Sequence, residues 1–268
     1  MPTFKLTLSY DGSGFVGWQR QATGISIQGI VEAVLAELDG HEVAAASAGR
    51  TDAGVHAIAQ VVSFSLDREI DGATLVRALN AHLPETIRAI EAVEVSANFH
   101  ARFDARSKAY RYRIWNGAVL SPFARAYAWF LPPPLLDIEA MALAARHFEG
   151  RHDFAAFQAA GTDNHDTHRT IFLSRIRRAA TEADGFAAAA AGVEGARAVS
   201  ASPLLEYEIH GDGFLRHMVR TVVGTLVEVG RRRQPPEWVV DVLKSRERGR
   251  AGPTAPAHGL FLVSVDYE

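Results

Sequence analysis

From its amino end this sequence switches back and forth between a hydrophobic period of two and one near 3.6, so it folds as strands interleaved with helices. Residues 3–10 (TFKLTLSY) alternate apolar and polar side chains before Asp11-Gly12-Ser13-Gly14, a strand entering a turn. Ser26 is the expected N-cap of a helix in which Ile27, Ile30, Val31, Val34, Leu35 and Leu38 recur at helical spacing until Gly40 stops the run. Residues 61–66 read as a strand, 73–83 as a helix ended by Pro84, and 87–95 as a strand. The same order returns later. A strand is expected around Tyr110, a helix over 137–148, strands over 171–180 and 204–210, a long amphipathic helix over 214–229 and a closing strand over 261–267. Residues 183–202, rich in Ala and Gly between two strands, read as a surface loop.

Strands mixed with few helices favour an α+β fold with helices on one face of a mainly antiparallel sheet. Two related halves sharing that sheet, with a central cleft between them, are expected. A length of 268 residues suits either two packed subdomains or one large domain. The halves are read as 1–105 and 106–268, although no Pro/Gly/Ser linker marks the junction near Asn98 to Arg106.

Composition narrows the chemistry. A hydrophobic content of 48% with 22% charged residues excludes a disordered, collagen-like or acidic-tail protein. No apolar stretch approaches the roughly 18 residues that a membrane span needs, and Met1-Pro2-Thr3-Phe4-Lys5 is not the start of an export signal, so the cytoplasm is the expected compartment. The absence of cysteine removes disulfides, thiolate metal sites and thiol nucleophiles, leaving carboxylates, His, Ser and Tyr. A net charge of −3 argues against indiscriminate coating of nucleic acid. The basic residues are nevertheless unusual: only Lys5, Lys108 and Lys244 are lysines, so 28 − 3 = 25 are arginines, which fork onto phosphates and stack on bases. They cluster at Arg102, Arg106, Lys108, Arg111 and Arg113, at Arg175, Arg177 and Arg178, and at Arg231 to Arg233.

The stretch Ser47-Ala48-Gly49-Arg50-Thr51-Asp52-Ala53-Gly54-Val55-His56-Ala57 is a polar loop bracketed by glycines between apolar segments, a place where function concentrates. Its glycines let the backbone approach a ligand, and Arg50 and Asp52 are near enough to share a site. Asp52 alone would read as a turn former or helix cap; beside an arginine, an ionised carboxylate serves as nucleophile or base rather than acid. Other motifs say less. His165-Asp166-Thr167-His168 matches no zinc or iron spacing and is assigned no metal. Gly12-Ser13-Gly14 lacks the third glycine of a dinucleotide fingerprint, and Ser47 has no GxSxG context, so neither a nucleotide cofactor nor a serine nucleophile is expected. Tyr110 and Tyr112, between arginines, could stack on bases or simply pack a sheet.

Gly49-Arg50-Thr51-Asp52-Ala53-Gly54-Val55-His56 resembles the catalytic loop of the tRNA pseudouridine synthase A family. Tyr10-Asp11-Gly12-Ser13-Gly14-Phe15 with Gly17-Trp18-Gln19, Phe99-His100-Ala101-Arg102-Phe103, Tyr110-Arg111-Tyr112, residues 214–220 (FLRHMVR) and 259–263 (GLFLV) resemble that family in its order. The resemblance implies the pseudouridine synthase fold and an isomerase that converts uridine to pseudouridine at positions 38, 39 and 40 of the tRNA anticodon stem-loop, without metal or cofactor. Asp52 then matches the nucleophilic aspartate that forms a covalent intermediate, Tyr110 the tyrosine packed against the target uracil, and Arg220 the basic partner of the aspartate. Arg50 fits a role in holding the target nucleotide flipped out. The family is homodimeric, with paired basic clefts, which would reconcile an acidic chain with an RNA partner. A non-catalytic RNA-binding protein of the same fold is the alternative, disfavoured by an intact Asp52. A glycoside hydrolase would want a second carboxylate beside it, and that loop has none.

Overall fold

The computed structural model describes residues 1–161, 166–179 and 202–268. The chain forms two compact units, one made of Met1–Ala109 with Phe261–Glu268 and the other of Tyr110–Leu260. Both mix helices with mainly antiparallel strands, the α+β class expected from the alternating periods.

In the first unit the strands β1 (Thr3–Tyr10), β2 (Ala46–Ser47), β3 (His56–Ser65) and β4 (Ile87–Val95) are joined by β10 (Leu260–Asp266), whose residues from Phe261 onward belong here. Their order is β4-β1-β3-β10, with β2 on β3. β1 runs antiparallel to both neighbours, placing Leu6 opposite Val62 and Ala92, whereas β10 lies parallel to β3 with Phe261 opposite His56. Alternation decides the core: Phe4, Leu6, Leu8 and Tyr10 are buried while Lys5, Thr7 and Ser9 between them are only half-buried. Helix α1 (Ile27–Asp39) begins at Ser26, whose hydroxyl accepts the Gly29 amide, and buries Ile27, Val31, Val34 and Leu35. Helix α2 (Gly72–His82) is capped by Asp71 and packs on β4.

The second unit carries most of β5 (Ser107–Asn116), with β6 (Trp129–Leu131), β7 (Gly150–Asp153), β8 (His168–Arg178) and β9 (Leu204–Gly211). Its sheet order is β5-β9-β8-β7, with β6 parallel to β5. Helix α3 (Ile138–Arg146) packs on β8 and on α4 (Met218–Gly230), and a short α5 (Trp238–Ser245) follows. Tyr112, Phe148, Phe154, Phe157, Tyr207 and Met218 are fully buried, and the ring of Phe157 meets Phe148 edge-on at 5.2 Å.

Two expected boundaries move. Helix α4 starts at Met218 rather than Phe214, because His217 takes a left-handed conformation (φ 64°) and the helix begins only beyond it. Strand β3 starts at His56, five residues ahead of the expected Val61, since Ala57-Ile58-Ala59-Gln60 extend the pairing without a clean alternation. The expected surface loop over 183–202 lies, apart from Ser202, outside the described residues.

Candidate functional site

The loop from Gly49 to Val55 joins β2 to β3 in the first unit, and the segment from Asp11 to Trp18 lies flat against it. Gly17 and Asp52 form an antiparallel bridge, and the Trp18 amide donates to the Thr51 carbonyl at 3.0 Å. On its other side this segment receives the start of α1: the Ile27 amide donates to Gly17 O at 3.2 Å and the Gln28 amide to Trp18 O at 2.9 Å. A further tie reaches β3, where His56 Nδ1 accepts the Gly12 amide at 3.1 Å. The same ring nitrogen is 3.1 Å from Asp11 Oδ1, a carboxylate oxygen that accepts the amide and hydroxyl of Ser13. The His56 ring is buried and stacks on Phe261 at 4.7 Å.

The glycines of this segment are required by close approach. A Cβ on Gly12 would lie 2.1 Å from the Val55 carbonyl oxygen, and one on Gly17 would lie 2.6 Å from the Thr51 carbonyl oxygen. Gly17 also has φ +106°, a conformation that side chains disfavour. The amino-terminal glycine motif therefore acts as a flat surface on which the Asp52 loop is laid.

Within the loop, Arg50 is exposed, Thr51 buried and Asp52 half-buried. The structure thus brings Arg50 and Asp52 together on one backbone stretch with an ordered base beneath it. The ammonium of Lys108 lies 3.6 Å from where a Cβ on Gly49 would be, adding a cation beside the loop. Positive charge developing on a bound group would meet the Asp52 carboxylate here, and negative charge the cations of Arg50 and Lys108.

Tyr110 and Arg220 belong to the second unit. Tyr110 is 8% exposed on β5, and its ring meets Phe214 edge-on at 5.0 Å, so part of the expected stacking surface is already used for packing. Arg220 sits in the first turn of α4, half-buried. Its Nε donates to Ala255 O at 2.7 Å while the Ala255 amide donates back to Arg220 O at 3.0 Å. This reciprocal pair fixes the guanidinium. The Tyr112 hydroxyl donates to Pro256 O at 2.8 Å, and His258 is held below the usual imidazole range first by burial and also by the charge of Arg220.

The arginine clusters carry less free charge than their number suggests. Arg111, Arg113, Arg175 and Arg177 close around Glu206 and Glu208, with Arg175 Nε 2.8 Å from Glu208 Oε2 and Arg177 3.0 Å from Glu206 Oε2. Four cations against two anions leave an excess of 4 − 2 = 2 on this face. Arg231 and Arg233 pair with Glu228, and Arg232 with Asp137, leaving 3 − 2 = 1. His168 lies 3.6 Å from Asp166, His165 is outside the described residues, and among the described residues no group of three or more His, Cys, Asp or Glu could hold a metal ion. No helix among them is long and apolar enough to cross a membrane.

The family model described as tRNA pseudouridine synthase matches residues 7–104 and 144–268, which include the Asp52 loop, the whole Asp11 to Trp18 support and all of α4. The chain belongs to the tRNA pseudouridine synthase family. Relatives within this family include the tRNA pseudouridine synthase A of Moorella thermoacetica, 46% identical over the whole of both chains. That of Myxococcus xanthus is 44% identical over all of this chain and 92% of its own, and that of Pelobacter propionicus 43% identical over all of both. The family resemblance carried by the separated motifs therefore holds over the full length.

Sequence reasoning about the synthase motifs passed over several residues that shape the site. Gln60 is a polar interruption in an apolar strand, and Tyr10, which opens the amino-terminal family motif but was given no role of its own, falls at the buried phase of β1; those phases were the available signals. Glu206 and Glu208 left no signal, since their arginine partners on β5 lie some ninety residues away in the chain.

Proposed function

We propose that this chain isomerises uridine to pseudouridine at positions 38, 39 and 40 of the tRNA anticodon stem-loop, with Asp52 as the nucleophile. Membership of the family makes it an isomerase acting on uridine in tRNA. The observation that carries the finer reading is the Asp52 loop: a half-buried carboxylate next to an exposed arginine, on a backbone tied to Gly17, Trp18 and β3.

In this reading a carboxylate oxygen of Asp52 bonds to carbon, either C1′ of the ribose or C6 of the uracil, and the N1–C1′ bond breaks with its electron pair left on N1. The freed base turns, C5 joins C1′, and the C5 proton leaves to a base as the aspartate is released. Tyr110 packs against the uracil. Arg220, fixed by Ala255, balances the aspartate charge, and Arg50 holds the nucleotide out of its stack. A homodimer working in the cytoplasm completes the proposal, because a second subunit doubles the modest excess of positive charge available to phosphates.

The test compares wild type with Asp52→Asn on anticodon stem-loops that carry a single uridine at 38, 39 or 40. Asparagine keeps shape and removes the charge that attack requires, so pseudouridine formation should fall to background while complex formation persists. Retained turnover would refute Asp52 as nucleophile, and loss of turnover together with binding would make the loop merely structural. Wild-type activity restricted to uridines elsewhere in tRNA would refute the assigned positions.

A further inference from the structure

The Asp52 loop rests on a buried polar layer that the reaction itself does not call for. Gln60 is fully buried in β3, and Tyr10 is nearly so at the end of β1. An amide and a phenol cost free energy in such places unless they are hydrogen-bonded, and apolar side chains would fill a strand core without that demand. The bonds they make all run to one spot. Gln60 Nε2 donates to Gly49 O at 2.8 Å and to the Tyr10 hydroxyl oxygen at 3.3 Å. The Gly49 carbonyl sets the orientation of the amide, since Oε1 turned toward it would face another oxygen. The Tyr10 hydroxyl also shares a hydrogen bond with Thr51 Oγ1, 2.9 Å away, which either hydroxyl can donate. Burial pushes the Tyr10 phenol up to about 12 despite the bonds to Thr51 and Gln60, so it stays protonated at neutral pH.

These contacts seize the main chain at Gly49 and the side chain at Thr51, on either side of exposed Arg50 and next to Asp52. From the opposite side the Trp18 amide holds the Thr51 carbonyl. We propose that Tyr10 and Gln60 are positioning residues, which lock the 49–51 backbone so that Arg50 and Asp52 meet the target nucleotide in one fixed geometry. The proposal rests on the reading of Asp52 as nucleophile. A loop that carries a nucleophile loses rate when it wanders by an ångström, whereas binding spread over distant phosphates does not notice.

The test uses the full chain with Tyr10→Phe, Gln60→Met and the double variant, assayed on a uridine-bearing anticodon stem-loop. Each single variant should lose about ten- to a hundredfold in kcat with KM changed by no more than about twofold, and the double should be no worse than the poorer single, as members of one layer. Amide hydrogen exchange should rise in the peptide covering 49–52 and stay unchanged in the peptide covering β4. Thr51→Ser, which keeps the hydroxyl, should retain kcat where Thr51→Val loses it, and this pair decides the matter if Gln60→Met does not fold. Unchanged kcat in folded Tyr10→Phe and Thr51→Val would overturn the proposal, as would a rise in KM alone or exchange that quickens throughout the first unit. If the wild type makes no pseudouridine, the nucleophile reading fails by itself, and exchange over 49–52 still decides whether the layer holds the loop.

Discussion

The carbonyl oxygen of Val55 occupies the place where Gly12 would otherwise carry a side chain, only 2.1 Å from an ideal Cβ. The turn that ends the first strand and the loop that bears Asp52 are thus in backbone-to-backbone contact. Gly12→Ala must push the two apart or bend one of them. We expect it to lower stability by about 1–3 kcal/mol in urea titration, the usual range for overpacking. Turnover should fall roughly a hundredfold, because the displaced segment carries the proposed nucleophile. Gly14→Ala, with nothing within 4 Å of the added methyl, is the matched control and should change neither.

Tyr110→Phe keeps the ring that Phe214 packs against and removes only the hydroxyl. If Tyr110 serves as a packing surface for uracil, turnover should stay within about tenfold of wild type, whereas proton transfer by the phenol would cost about a hundredfold or more. Single-turnover kinetics on a stem-loop separates the two. Tyr110→Ala, which also strips Phe214 of its neighbour, should lose activity and stability together.

Stability should fall in acid through Glu208. Burial by itself would raise this carboxyl, but its hydrogen bond to Arg175 and the charges of Arg175, Arg111 and Arg177 more than compensate and hold it below the ordinary carboxylate range. A group depressed in the folded state contributes stability above its unfolded pKa of about 4.3 and loses it as pH falls through the folded value. Urea midpoints measured from pH 6 downward should therefore decline below roughly pH 4.5. Glu208→Gln should be less stable at pH 6 and show a shallower decline; an unchanged slope would assign the acid sensitivity to other carboxylates.

RNA binding should weaken with salt, but less steeply than a count of arginines implies. Glu206, Glu208, Glu228 and Asp137 already occupy the second and third clusters. Each phosphate neutralised contributes a slope of about −0.9 in log K against log salt for duplex. Replacing Glu206 and Glu208 together with Gln should steepen the slope for an anticodon stem-loop if this face touches RNA. An unchanged slope would place the phosphate contacts elsewhere.

Much of the fold could be read from periodicity because β1 alternates over most of its length and α1 and α2 carry both a stripe and a cap. What escaped has physical reasons. β6 has three residues and β7 four polar ones, too few for any period to register. α5 spans eight residues just after Pro235-Pro236, a pair that reads as loop. In the site, the glycine-bracketed Arg50 to Asp52 stretch stood out, since exposed polar loops advertise themselves. The ties of Tyr10 and Gln60 to that loop did not, because a buried polar residue shows its purpose only through a partner, and Gly49 and Thr51 become partners only when β1 and β3 pair.

The parallel pairing of Phe261 and Leu262 with His56 and Ala57 ties the assembly of this protein to the order of its synthesis. Every residue of the second unit leaves the ribosome before Phe261, where the first unit resumes. The stack of Phe261 on His56, four positions after Asp52, can therefore form only after the second unit has been synthesised. A chain interrupted just before Phe261 would carry the whole second unit, yet His56 and Ala57, at the start of β3 just beyond the Asp52 loop, would lack their parallel partners.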